Sequence, residues 1–308
     1  MKKKSILETP RLKELKKKKR KKIYKKIVIF AVFFLVFLTG LVFLSHWKEI
    51  KIQDIQVEGN KIVESKDVKN VADSYIQGKY LGLFPKNNSF IYPEKKIKKD
   101  LEEKYRRLKN VNVEVDANDL KTLWISVSEY DGEYMWCGEQ IISDSIDQQC
   151  YFLDSNGYIF DKAPYFSGDV YFKFYGNSDF DLLNPIGSYF LPDYFSKLVS
   201  FKDAVEKMNL KPVVFNLEDK EANEGGLYLF NSSQVPNAPK ILFKLDSDYE
   251  KIEENLQSAI TTEPLQTSLK NSLSNLNYID LRFGNKIYYK FKQNQNKNDR
   301  ETELVAEN

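Results

Sequence analysis

The sequence predicts an α+β protein with a single N-terminal transmembrane helix, then a β-α-α-β-β domain, then a mainly antiparallel β domain with helices. Three observations predict this class. Residues 27–44 form an unbroken apolar run, strand and helix periodicities alternate over residues 48–130, and short aromatic strands recur over residues 131–292. Residues 1–26 are expected to form a basic cytoplasmic tail, and residues 293–308 a disordered tail.

The apolar run Ile27–Leu44 contains no charged residue and has Thr39 as its single polar side chain. At about 1.5 Å per residue it covers roughly 27 Å, so the residues up to Trp47 would complete a crossing of a ~30 Å hydrocarbon core. Tyr24 and Trp47 flank the run, where aromatic rings favour the headgroup layer. We predict a membrane helix over residues 27–47. The alternative is a cleaved signal peptide, whose apolar region is usually ~7–15 residues long and precedes a small-residue cleavage site that this sequence lacks.

The charges are distributed asymmetrically about this run. Residues 1–26 carry fourteen Lys or Arg and two Glu, a net charge of +12, whereas the whole chain carries +3 and the remainder therefore −9. Because Lys and Arg are retained on the cytoplasmic side, we expect a single-pass protein with a cytoplasmic N-terminus and the residues from Lys48 onward outside. The run Lys16–Lys22 would also suit nucleic acid, but directly beside a span it more often sets topology and contacts anionic lipid. We expect membrane association and no nucleic acid.

The first exported domain shows strand and helix patterns in a definite order. Alternating apolar residues predict a bulged strand within Lys48–Glu58. Helical spacing then predicts two helices, the first with Ser65 as N-cap and Gly78 as its terminating glycine, the second starting near Pro93. Two half-buried alternating strands complete the domain, Val111–Val115 and Leu123–Val127.

The second exported domain contains both cysteines of the chain, Cys137 and Cys150. Two thiols thirteen positions apart in an exported segment favour a disulfide, which would stabilise the domain by about 3 kcal/mol. Two ligands alone make a poor zinc site, so we expect no metal. Asp154–Gly157 lies between two aromatic strands and predicts a hairpin.

Later segments of this domain predict helices, a loop and a terminal strand. Amphipathic helices are expected after Asp193 and Ser247, each interpreted as an N-cap. The acidic, glycine-containing segment Glu218–Gly226 predicts an exposed loop. The last apolar run, Tyr278–Lys292, alternates with one parity on both sides of Gly284, and its predicted apolar face consists of Ile279, Leu281, Phe283, Ile287, Tyr289 and Phe291. We therefore predict one long strand kinked at this glycine in preference to a hairpin.

Several of these stretches resemble a known family. The runs IQDIQVEGNKIVESKDV and NVNVEVDANDLKTLWISVSEY are similar to the polypeptide-transport-associated (POTRA) domain of the FtsQ/DivIB cell-division family. YFLDSNGYIF and the IDLRF core of the terminal run resemble that family's β domain. The usual proline before the last POTRA strand is missing, and Asp119 or Leu120 stands near its place. The resemblance implies a non-enzymatic divisome scaffold at the division septum, without a cofactor, whose partners are FtsB/FtsL-like bitopic proteins and other divisome membrane proteins.

The resemblance also implies where the partners bind. Arg282 and Phe283 match the family's contact region best. Periodicity alone favours a strand that completes its own sheet, with Lys286, Lys290 and Lys292 protecting the edge. The resemblance instead favours an exposed edge that accepts a partner's strand. The candidate contact residues are Ile279, Asp280, Leu281, Arg282, Phe283, Gly284 and Tyr288.

Catalytic motifs are scarce in the sequence. The one histidine, His46, lies at the membrane exit, which excludes a Ser-His or Cys-His pair in the exported domains. No Gly-x-Ser-x-Gly or P-loop motif is present. Carboxylates are numerous, so a membrane-anchored cell-wall enzyme with an acid pair stays an alternative. A POTRA-type chaperone or transport accessory for exported proteins is another.

Overall fold

The computed structural model describes residues 10–142, 148–166, 168–177, 179–229, 238–292 and 302–305. It divides the chain into two compact units, here called unit 1 and unit 2, between Glu129 and Tyr130. The fold is mixed α/β, with an apolar N-terminal helix and a β-rich second unit. Residues 1–9 of the predicted basic tail lie outside the described residues.

The N-terminal helix α1 (Pro10–Ser45) runs through both the basic segment and the apolar segment. Its large apolar side chains are exposed; Phe33, for example, is 71% exposed. Within the described part of the chain, α1 is the single helix that is long and apolar enough to cross a membrane. The charged and apolar segments therefore form one continuous helix, without a break at the expected membrane boundary.

Unit 1 continues with a small sheet and two helices. In chain order the elements are β1 (Asp54–Glu58), α2 (Ser65–Ile76), β2 (Lys79–Tyr80), β3 (Phe84–Pro85), α3 (Glu94–Lys104), β4 (Leu108–Asp116) and β5 (Asp119–Glu129). The main sheet has the order β1-β5-β4, with β1 parallel and β4 antiparallel to β5. The apolar faces of both helices and the sheet form one core, in which Val68, Ile97 and Leu123 are fully buried. β2 and β3 form a separate short hairpin.

The ends of the elements in unit 1 differ from the prediction in two places. Lys48–Ile50 forms a 3₁₀ turn, so β1 is shorter than the predicted strand. Ser65 is the first helical residue of α2 and not its N-cap, which is Glu64; the Ser65 hydroxyl donates to Asn60 Oδ1 at 3.0 Å. Gly78 has φ +84° directly after the C-cap of α2, which confirms its predicted role.

Unit 2 is built on one large sheet. In chain order its elements are β6 (Tyr134–Trp136), β7 (Cys150–Leu153), β8 (Ile159–Ala163), β9 (Lys173–Tyr175), α4 (Phe195–Lys207), β10 (Pro212–Asp219), β11 (Glu224–Leu229), β12 (Lys240–Lys244), α5 (Tyr249–Thr261), α6 (Leu265–Ser272), β13 (Leu276–Phe283), β14 (Lys286–Phe291) and β15 (Thr302–Val305). Over the described residues, the sheet order is β15-β14-β13-β12-β11-β10-β9-β6-β7-β8. Residues of α4, α5 and α6 share the principal core with this sheet. Phe201, Phe215 and Phe243 are fully buried there.

The predicted hairpin at Asp154–Gly157 connects β7 to β8. The buried Asp154 carboxylate accepts the backbone N–H groups of Asn156 at 2.9 Å and Tyr158 at 2.8 Å. Gly157 has φ +81°, and a Cβ there would lie 2.8 Å from the carbonyl oxygen of Phe190. The aspartate and the glycine are both required by the turn itself.

The segment Glu218–Gly226 is a hairpin whose residues 218–222 are exposed, as predicted, whereas Gly225 and Gly226 are buried in β11, where the predicted loop is wrong. β10 extends to Asp219, and β11 begins at Glu224. A Cβ on Gly225 would lie 2.6 Å from the Phe215 ring, so this glycine makes room for a core side chain. In this segment glycine indicates close packing of a buried strand rather than a flexible connection.

Two predicted helix caps in unit 2 are wrong by one residue. The N-cap of α4 is Tyr194 and not Asp193. The N-cap of α5 is Asp248 and not Ser247, and its carboxylate accepts the N–H of Lys251. At α5, serine and aspartate both satisfy cap chemistry, so the backbone path alone separates these neighbours; at α4, the Tyr194 side chain makes no capping hydrogen bond.

The C-terminal segment contains one further strand. Thr302–Val305 forms β15, which pairs with β14, so the prediction of a disordered tail is wrong for these residues. The remaining parts of that predicted tail, residues 293–301 and 306–308, lie outside the described residues.

Candidate partner-binding site

The terminal apolar run is a hairpin, and the prediction of one long strand is wrong. β13 and β14 pair antiparallel, with Ile279 opposite Tyr289 and Asp280 opposite Tyr288. Gly284 has φ +69° in the connecting turn, a left-handed conformation that favours glycine. A regular two-residue turn would reverse the parity of the buried residues across Gly284, but the register shift between Asp280 and Phe283 restores it, so that Ile279 faces Tyr289. The observed parity was therefore compatible with both structures.

The predicted apolar face of the hairpin is largely buried against unit 2. Ile279 is fully buried, and Leu281, Ile287 and Tyr289 are also buried. Asp280 is buried on the other face, with 4% of its surface exposed. Of the candidate contact residues, Ile279, Asp280 and Leu281 thus lie within the fold, where they shape the hairpin and present little side-chain surface.

Phe283 departs from this pattern and is 56% exposed. The strand pairing is irregular between Asp280 and Phe283, which changes the side-chain parity at the end of β13. The Phe283 ring packs edge-on against Tyr288, with ring centroids 5.2 Å apart. These two candidate residues thereby form an aromatic pair beside Gly284, on the surface of the described part of unit 2.

Arg282 is held by two carboxylates. Its Nε donates to Asp280 Oδ1 at 2.9 Å, and its Nη2 donates to Asp280 Oδ2 at 2.6 Å. Its Nη1 donates to the Glu224 carboxylate. The hydrogen bonds to Asp280 and then to Glu224 raise the pKa of the Arg282 guanidinium, so it stays charged. Arg282 therefore links β13 to β11. The guanidinium carbon also lies 5.8 Å from the Phe283 ring centroid.

The strand that contains IDLRF is not an edge strand. β13 has β12 on one side and β14 on the other, so the expectation of an open edge along this strand is wrong. The outer edge of β14 is itself paired with β15, from Lys286 opposite Val305 to Tyr289 opposite Thr302. A second chain would reach main-chain groups of this hairpin along β14 and only by replacing β15 there.

The two cysteines join neighbouring strands far along the same sheet. Cys137 follows β6 and Cys150 begins β7, and their Sγ atoms are bonded at 2.04 Å with the Cα atoms 4.2 Å apart. Cys137 is fully buried. The disulfide closes the segment between two antiparallel strands, which pair from Tyr134 opposite Leu153 to Trp136 opposite Tyr151.

One polar network lines a cavity of about 400 Å³ in unit 2. The Tyr228 hydroxyl donates to Glu218 Oε1 at 2.6 Å, and Lys240 Nζ lies 3.3 Å from the same oxygen. Burial, followed by the hydrogen bond to Glu218, raises the pKa of Tyr228. The carboxylate is thus satisfied by its own neighbours, in the manner of a structural ion pair.

Among the described residues, no group of three or more His, Cys, Asp or Glu side chains could hold a metal ion. His46 directly follows α1, with its Nδ1 2.8 Å from the Val42 carbonyl oxygen. The hairpin around Phe283 presents an exposed aromatic side chain.

Two features of this site were not predicted from the sequence. Glu224 was assigned to an exposed loop, although it is a partner of Arg282. β15 was assigned to a disordered tail, and its four residues, Thr-Glu-Leu-Val, carry no polar-apolar alternation that would have indicated a strand. Comparison with protein-family models finds no match to this chain, and comparison with curated proteins finds none either.

Proposed function

We propose that this chain is a membrane-anchored, non-enzymatic scaffold of the FtsQ/DivIB type, which acts at the division septum. In this proposal α1 crosses the cell membrane once, with the basic segment in the cytoplasm and both units outside. The exposed apolar surface of α1 and the run of Lys and Arg before it support this topology. Unit 1, with two helices against a β1-β5-β4 sheet, would act as a POTRA domain that recruits the protein near the membrane.

Partner binding is assigned to the β13–β14 hairpin. The observation that carries this assignment is the exposed ring of Phe283, which packs on the half-buried Tyr288, because aromatic side chains at a surface are frequent anchors of protein interfaces. The partners would be FtsB/FtsL-type bitopic proteins. A bound partner would cover this aromatic pair and align a strand along β14.

The proposal includes displacement of β15 by the partner. β15 has four residues, and each backbone hydrogen bond contributes only about 0.5–1.5 kcal/mol net. A longer strand from the partner, with side chains on the aromatic pair, would compete effectively with so short a segment. A variant ending at residue 301 should therefore capture more partner than the full chain, in a pull-down from membranes of the source cells. Equal or weaker capture would contradict displacement.

The function itself is tested by localisation. A fluorescent fusion of the full chain should gather at the division site during constriction, and a uniform membrane signal throughout would refute the proposal. Pull-down then examines the partner class, since short bitopic coiled-coil proteins should dominate the captured material. Leu183→Ala, at a side chain 87% exposed elsewhere in unit 2, serves as the surface control and should capture as much as the wild type.

A further inference from the structure

The segment between α2 and α3, residues 78–92, is here called the 78–92 loop. It includes the β2–β3 hairpin, two lysines, Lys79 and Lys86, and no acidic residue. Four of its large apolar side chains are exposed: Leu81 at 92%, Leu83 at 51%, Phe90 at 71% and Ile91 at 41%. Such a concentration within fifteen residues indicates a contact surface rather than the scattered apolar exposure of ordinary surfaces.

The 78–92 loop is fastened to the end of α1. The Asn88 side-chain amide donates to the carbonyl oxygen of Ser45, the last residue of the helix, at 3.2 Å, and both residues are buried. The Ser89 N–H donates to the carbonyl oxygen of Ile50 at 2.9 Å. On the other arm of the loop, β3 contacts α1 directly. The position of the loop is therefore set by the helix end.

All four exposed side chains lie close to these attachment points. Phe90 and Ile91 follow Asn88 by two and three residues. Leu83 and Leu81 precede Phe84 of β3 by one and three residues. Since a residue advances the chain by at most about 3.6 Å, each lies within roughly 11 Å of a residue attached to α1. The headgroup layer on one side of a bilayer is only ~5–7 Å deep, so these side chains are within reach of it.

The backbone at the hairpin tip directs one leucine outward. Leu81 has φ +50° and Gly82 has φ +73°, both in the left-handed region. Glycine, asparagine and aspartate are the residues that usually occupy such turn positions. Leu81 occupies such a position although it is an apolar residue, and its side chain is 92% exposed.

We propose that the 78–92 loop is a lipid-contacting surface that inserts these four side chains into the headgroup and acyl boundary of the outer leaflet. The inference depends on the proposed membrane crossing by α1. Lys79 and Lys86 would favour anionic headgroups, and the nearest acidic side chain in the α1–β1 connection, Glu49, is paired with Lys121 at 2.7 Å. Membrane contact at a second place would hold unit 1 in a defined orientation above the bilayer.

The test uses the full chain in vesicles of phosphatidylcholine and phosphatidylglycerol. A nitroxide is attached through Phe90→Cys or Leu81→Cys, and the native cysteines are already bonded to each other. Collisions with oxygen, which concentrates in lipid, are compared with those of a water-soluble nickel chelate. The ratio of oxygen to nickel collisions should be severalfold higher at both positions than at Ile62→Cys. Ile62 is an exposed apolar residue. Its N–H donates to Glu129, which is the last residue of unit 1.

Two results would overturn the inference. The first is that the label at position 81 or the label at position 90 is as accessible to nickel as the label at position 62. The other is either label being shielded from both reagents, which would place another protein surface over the loop. A third label, at Leu35→Cys in the middle of α1, tests the anchor separately. A lipid-embedded label at position 35 with an aqueous label at position 90 refutes only the loop contact, whereas an aqueous label at position 35 refutes the membrane crossing.

Discussion

Replacing Phe283 by alanine is expected to separate partner binding from folding. A fully buried phenylalanine truncated to alanine costs ~3–5 kcal/mol. Phe283 is 56% exposed, so scaling that cost by the buried fraction leaves a loss of about 1–2 kcal/mol, including the edge-on contact with Tyr288. An aromatic anchor at an interface contributes about 2 kcal/mol or more, so partner affinity should fall about 30-fold.

The matched control is Phe243→Ala in β12, because the same atoms are removed from a fully buried site of the same sheet. Unfolding of unit 2 is followed by the fluorescence of Trp136, a buried residue of β6, during urea titration in detergent micelles. Both variants also carry Trp47→Phe and Trp124→Phe, so that Trp136 is the one tryptophan of the chain that fluoresces. Phe243→Ala should cost ~3–5 kcal/mol of the free energy of unfolding, and Phe283→Ala clearly less.

Two outcomes would refute this reasoning. If Phe283→Ala destabilises unit 2 as much as Phe243→Ala, its ring belongs to the core and any binding defect is indirect. If Phe283→Ala captures as much partner as the wild type, the hairpin is not the contact surface. Tyr288→Phe provides a second check, because it retains the ring and should leave the aromatic contact intact.

Three other predictions concern stability. Joint replacement of Cys137 and Cys150 by serine should lower the free energy of unfolding of unit 2 by about 3 kcal/mol, and a reductant should have the same effect on the wild type alone. Glu129→Gln should destabilise unit 1 by about 1–3 kcal/mol in urea titration, because the buried carboxylate accepts three backbone N–H groups from residues 61–63; an unchanged midpoint would contradict this. Burial raises the pKa of Tyr175 to about 12, above its unfolded value of about 10. The neutral Tyr175 side chain therefore contributes fully to the free energy of unfolding below pH 10, and this contribution is lost as the pH rises from 10 to 12. Tyr175→Phe should therefore lessen the alkaline loss of stability by about 1.4 kcal/mol per pH unit in that window.

Side-chain periodicity predicted burial well where one face of an element meets a core. Ile279, Leu281, Ile287 and Tyr289 were assigned to one apolar face, and all four are buried. The stripe predicted for α2 is likewise buried at Val68, Val71, Ala72 and Ile76. These assignments succeed because the spacing of apolar residues along a strand or helix directly records which side is removed from water.

Phe283 shows where periodicity fails. Its parity placed it on the same face as Leu281, but irregular pairing near the end of β13 moves it to the side of Tyr288. An irregularity of this kind adds no apolar residue and breaks no motif, so the pattern alone does not reveal it. The same irregularity hides the turn at Gly284, because it restores the parity that a regular two-residue hairpin would reverse.

By itself, the sequence determined the apolar N-terminal helix, the order of the main helices and strands, and the buried face of the terminal run. Only the tertiary structure decided that β13 is an internal strand, that β15 covers the edge of β14, and that the 78–92 loop is attached to the end of α1. The physical reason is that strand neighbours are joined by backbone hydrogen bonds, which every residue except proline can form. Which strands become neighbours depends on how distant segments close one core, and local side-chain pattern carries little information about that choice.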